Sequence, residues 1–108
     1  MLDTAAGRAA GGVRVVLWRL DGAATRVAEG VTNADGRLDR PLLEGAAFSL
    51  GTYQLDFHVG DYFRTGKVAL ADPPFLDIIP IRFGIAEPAH YHVPLLVAPY
   101  GYSTYRGS

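Results

Sequence analysis

Three groups of side chains in this sequence could do chemistry near neutral pH. The first is His90-Tyr91-His92, two imidazoles separated by one residue. On an extended strand that spacing puts both rings on one face, roughly 7 Å apart. Histidine exchanges a proton near neutral pH without help from burial, so the pair is a candidate acid or base. Two imidazoles on one face could also be half of a metal site, but a hydrolytic zinc wants a third protein ligand. His58, the remaining histidine, stands in a distant segment, and metal is disfavoured.

The second group is Arg37, which follows the turn Thr32-Asn33-Ala34-Asp35-Gly36. Gly36 supplies the positive φ, and Asn33 and Asp35 cap the turn. Arg37 could be a solvated charge or a planar fork that holds an anion. The third group is the tail Tyr102-Ser103-Thr104-Tyr105-Arg106-Gly107-Ser108, rich in hydroxyls, with β-formers almost to its last residue. In extended form Ser103, Tyr105 and Gly107 share one face, and Tyr102, Thr104 and Arg106 the other.

Other chemistries are excluded or unsupported. With no cysteine there is no disulfide, thiolate nucleophile or Cys-ligated zinc. No Gly-x-Ser-x-Gly elbow is present, and Gly7 through Gly12 lack the spacing of a phosphate loop. Basic and acidic residues number 10 and 11, for a net charge of -1, with no basic stripe for nucleic acid or an anionic membrane. Pro, Arg and His break every apolar run well short of the ~20 residues of a membrane span. The start, Met1-Leu2-Asp3-Thr4, lacks the features of a secretory signal, so the expected compartment is the cytoplasm.

The elements that must position these groups are strands. Val13, Val15 and Leu17 alternate with Arg14, Val16 and Trp18; Tyr53, Leu55 and Phe57 alternate with Gln54, Asp56 and His58. A period of two is the strand signature. Turn residues separate the runs at Gly11-Gly12, Asp21-Gly22, Asn33 to Gly36, Gly51-Thr52, Asp72-Pro73-Pro74 and Pro99-Tyr100-Gly101. Many short strands at such spacing predict an all-β sandwich or barrel. At 108 residues the chain is expected to form one domain over 1–108. The one helix expected is a turn or two around Gly60 to Thr65.

From His90 to Val97 the pattern predicts a strand with Tyr91, Val93, Leu95 and Val97 on its core face. The opposite face carries His90, His92, Pro94 and Leu96, part apolar and part histidine. Such a face is either wetted, with a chance leucine, or a subunit interface with a site in it. Pro94 has no N–H and suits an edge or interrupted position. The turn at Pro99-Tyr100-Gly101 makes the tail the hairpin partner of this strand.

Three stretches together resemble the transthyretin-like 5-hydroxyisourate hydrolases. They are Leu2-Asp3-Thr4-Ala5-Ala6-Gly7-Arg8-Ala9-Ala10-Gly11-Gly12-Val13, with Ala9 where proline is usual; Thr32-Asn33-Ala34-Asp35-Gly36-Arg37; and His90 through Ser108. The ending Tyr105-Arg106-Gly107-Ser108 is the most specific of these, because hormone-carrying transthyretins lack it and the second histidine of His-x-His. The resemblance implies a transthyretin (prealbumin)-like sandwich of two four-stranded sheets with one short helix. It implies a homotetramer, a dimer of dimers, whose central channel holds sites lined by His92, Pro94, Leu96, Ser103 and Tyr105.

The reaction so implied is hydrolytic opening of the six-membered ring of 5-hydroxyisourate to 2-oxo-4-hydroxy-4-carboxy-5-ureidoimidazoline, in urate breakdown. No metal or organic cofactor is implied. His92 would act in proton transfer, Arg37 would hold the substrate or its developing negative charge, and Tyr105, Ser103 and Ser108 would contact substrate. The alternative is a non-catalytic carrier of small ligands in the same channel. The resemblance departs at the front. The family's first catalytic histidine precedes a Val or Ile just before Leu-Asp-Thr, and Met1 occupies that Val or Ile position. A GTG valine codon read as the initiator, or a variant without that histidine, accounts for this; either predicts impaired turnover for the chain as written.

Overall fold

The computed structural model describes residues 1–43 and 48–107. Among these residues eight strands and one helix follow one another: β1 (Leu2–Asp3), β2 (Arg8–Ala9), β3 (Arg14–Asp21), β4 (Ala23–Val31), β5 (Gly51–His58), α1 (Val59–Thr65), β6 (Ile78–Ile85), β7 (Leu95–Ala98) and β8 (Gly101–Thr104). They form two four-stranded sheets, ordered β2-β1-β7-β8 and β4-β3-β5-β6. The expected all-β sandwich with one short helix is therefore the observed architecture.

Alternation becomes burial where a strand has a sheet on one face only. On β5, Tyr53, Leu55 and Phe57 are buried while Thr52 is exposed and Gln54, Asp56 and His58 half-buried. Val15 and Leu17 meet them from β3, with Val13 just ahead of it, Ile79 and Ile81 from β6, and Leu95 and Val97 from β7. Each such side chain contributes about 1.5–3 kcal/mol of burial, so the two sheets cannot slide by one residue without reversing that set. The helix packs Val59 and Phe63 into the same core. Tyr62 donates its hydroxyl hydrogen to Asp3 Oδ2 at 2.8 Å, and the buried Asp3 also accepts from the amides of Ala5 and Ala6. That carboxylate ties the β1–β2 turn to the helix.

The strand expected from His90 to Val97 is shorter than its pattern. Ladder pairing covers Leu95–Ala98 alone, opposite Gly101–Thr104, with Pro99 and Tyr100 in the turn as expected. Pro94 has no N–H to give, and pairing stops there. Upstream, His92 makes one isolated antiparallel bridge to Gly107. Tyr91 and Val93 still pack against the core, half-buried, so the inward face keeps its alternation without a ladder.

Candidate active site

Arg37 owes its position to one asparagine. Asn33 Oδ1 accepts from the backbone N–H of Asp35 at 2.9 Å and of Arg37 at 3.2 Å, while the Asn33 N–H donates to Arg37 O at 2.7 Å. Gly36 closes the turn with φ +74°, and any Cβ there would overlap the backbone of Met1. Position 36 therefore needs glycine for both conformation and space. The Met1 amino nitrogen donates to Gly36 O, which brings the start of β1 against the arginine. Desolvation first, and the Arg37 charge second, hold the pKa of that amino group below its ordinary value. Among the described residues the Arg37 guanidinium pairs with no carboxylate.

His92, in the segment ahead of β7, lines the same cavity as Arg37. A cavity of about 940 Å³ has Arg37, His90, His92, Pro94, Leu96 and Tyr105 in its wall. It continues inward to Leu17 of β3, Phe57 of β5 and Phe83 of β6, so a polar mouth opens onto an apolar floor. A pocket of that kind buries a small planar ligand and orients it with a few polar groups. An imidazole can take a proton from water, and an unpaired guanidinium can stabilise the oxyanion that forms when the water attacks a carbonyl.

The proposed site residues thus divide. Arg37, His92 and Tyr105 come together at one cavity, with Pro94 and Leu96 beside them. Ser103 stands apart from that wall; it pairs with Leu96 across β7 and β8 and shares the outward face of the sheet. Ser108 lies outside the described residues. Arg106 and Gly107 belong to the family-specific ending but carry no site role in the sequence reading, yet both touch the histidine segment. The available signal was a glycine inside a β-rich tail, which often marks close approach of another group. Among the described residues no cluster of three His, Asp or Glu is placed to hold a metal, and no helix is long and apolar enough to cross a membrane.

Fold and cavity together define a transthyretin-type sandwich with acid–base groups at the mouth of a ligand-sized pocket. Sequence comparison agrees: residues 1–107 match the HIUase/Transthyretin family. The 5-hydroxyisourate hydrolase 2 of Rhizobium meliloti is 60% identical over 110 residues, covering 100% of this chain and 92% of that protein. The structure of Klebsiella pneumoniae 5-hydroxyisourate hydrolase superposes with a TM-score of 0.79 at 36% identity, covering 99% of this chain and 93% of that one. An (S)-allantoin synthase structure superposes at 0.93 with 49% identity, covering 99% of this chain, which spans 41% of that longer one. The chain belongs to the HIUase/Transthyretin family.

Proposed function

We propose that this chain hydrolyses 5-hydroxyisourate, opening its six-membered ring to 2-oxo-4-hydroxy-4-carboxy-5-ureidoimidazoline in urate breakdown. The observation that carries this reading is the cavity that Arg37, His92 and Tyr105 line together, in a chain 60% identical to a named hydrolase of this substrate. His92 takes a proton from the attacking water, Arg37 holds the negative charge that develops on the carbonyl oxygen, and the ring C–N bond breaks with the nitrogen regaining a proton. Tyr105 and Ser108 contact the substrate, as does Ser103 from earlier in the same tail. No metal or organic cofactor takes part.

The working unit is one domain, 1–108, in a homotetramer built as a dimer of dimers. Support comes from the outward face of the β2-β1-β7-β8 sheet, where register aligns Leu2 with Leu96 and Leu96 with Ser103. Leu2 is 41% exposed on that face, an apolar surface suited to lining a shared channel. The compartment proposed is the cytoplasm, which a chain without cysteine fits.

The test follows the ultraviolet absorbance of freshly generated 5-hydroxyisourate, against its spontaneous decay. It is run on this chain and on one with Thr-His-Val in place of Met1. The extended chain accelerates the decay, and the 108-residue chain does so less well. No acceleration by the extended chain rejects the activity. His92→Asn lowers turnover by about 10²–10⁴-fold and Arg37→Ala by about 10²–10³-fold. Sedimentation shows a four-chain particle for both variants; wild-type rates in both reject the assigned roles.

A further inference from the structure

We infer that the dipeptide Arg106-Gly107 is a clamp that sets the imidazole of His92, with Gly107 as a positioning residue for the reaction. The inference rests on the reading of His92 as the proton-transfer group. The problem the clamp solves is local. His92 lies outside every ladder, between Ile85, the last residue of β6, and Leu95, the first of β7. A side chain on such a segment has no neighbouring strand to fix its direction, and a shift of about 1 Å can cost 10²-fold in rate.

Gly107 supplies the missing neighbour in two ways. Its N–H donates to His92 O at 2.7 Å, which fixes the backbone. Its bare Cα then faces the ring. A Cβ at position 107 would overlap His92 Nδ1, 2.9 Å from Cγ and 3.1 Å from the histidine's own Cβ. Positive φ is not the reason for glycine here: Gly7, Gly12, Gly22, Gly36 and Gly51 have it and Gly107 does not. Space is the reason. Even alanine would have to displace the imidazole or lift the tail off it.

Arg106 holds the other half of the segment. Its guanidinium sits 4.2 Å from the centroid of the Tyr91 ring and 3.5 Å from Glu87 Oε1. The Tyr91 hydroxyl oxygen in turn accepts from the Ala86 N–H at 3.0 Å. Thr104 Oγ1 donates to Pro94 O at 2.6 Å and completes the seam. Successive tail residues thus grip the segment at Pro94, Tyr91 and His92, while Tyr105 faces the cavity. The tail has two jobs: one residue meets substrate, and the next two aim the imidazole.

The test is Gly107→Ala in the Thr-His-Val-extended chain, with kcat, KM and the imidazole ¹⁵N–¹H resonances measured together. Expected are a fall in kcat of about 10²-fold with KM little changed, and displaced ring resonances for His92 but not for His58. In a His92→Asn background the same substitution costs no further rate. Arg106→Gln, which keeps the glycine and gives up the stacking, shows the same pattern more weakly and covers the case in which Gly107→Ala does not fold. Unmoved His92 resonances in a folded Gly107→Ala protein overturn the clamp, as does an equal loss with or without His92. A wild-type rate for His92→Asn alone overturns the role of His92 instead, so the two failures are distinguishable.

Discussion

The β3-β5-β6 layer and the segment from Ala86 to Pro94 are held by opposite means. Strands β5 and β6 pair without interruption from Gly51↔Ile85 to His58↔Ile78, and β3 continues the ladder on the other side. Losing one contact there leaves its neighbours in place. Beyond the packing of Tyr91 and Val93 on the core, the histidine segment hangs on single polar contacts: one bridge to Gly107, one ring–guanidinium stack, one exposed ion pair and one bond to Pro94 O. Redundancy makes the first region the frame. The second is adjustable residue by residue, which suits a site and exposes it to small errors. Stability and catalysis should therefore separate cleanly under substitution.

The severest way to break that contrast is Phe63→Ala. Phe63, on the buried face of α1, is 1% exposed and is not part of the cavity wall. Its truncation is expected to cost about 3–5 kcal/mol in denaturant unfolding while kcat per folded molecule is unchanged. A matching loss of kcat would show that frame and site are one unit. Tyr62→Phe acts more mildly, removing one hydrogen bond to the buried Asp3 at about 1 kcal/mol.

Tyr62 also carries a pH signature. Burial first, then the hydrogen bond to Asp3 and its charge, raise the pKa of the phenol. A raised pKa means the folded state holds the proton more tightly than the unfolded chain. Its contribution is complete below the ordinary tyrosine value of about 10 and is lost as pH climbs through the folded value. Unfolding curves should show that alkaline loss in the wild type and less of it in Tyr62→Phe. Smallest of all is Glu87→Gln, which removes an exposed partner of Arg106. Thermal unfolding should register no more than about 0.5 kcal/mol, because surface pairs are screened and mobile.

The frame was legible in advance because β5 and β3 bury one face and leave the other partly wet, so alternation records their environment directly. The helix after β5 and the hairpin at Pro99-Tyr100 were marked by local chemistry. Strand β4 was harder to see: Ala23–Val31 is an edge strand with most residues exposed, so neither face imposes a pattern. Strands β1 and β2 are two residues each in an alanine- and glycine-rich stretch, too short to show any period. At the site, residue type marked His92 as a candidate and left Arg37 between a solvated charge and an anion-holding fork, a choice that only the family resemblance made. Residue type did not show their convergence, since they stand on segments far apart in the chain. Gly107 gave only a weak sign, a glycine in a β-rich tail: its requirement is set by a ring fifteen positions away, and local preference does not say which side chain occupies that space.

The parallel pairing of β1 with β7 has a consequence for how the protein comes to exist. Thr4 bonds to Val97 across a separation of 93 positions, and the whole β3-β5-β6 frame is threaded between them. Closing so long a loop is entropically slow, and the intervening sheet can pair from nearer neighbours first. During synthesis Leu2 and Asp3 must wait, that edge unsatisfied, until the segment through Val97 has left the ribosome. The cavity mouth is thus assembled last, and an interrupted translation product would contain much of the frame with no working site.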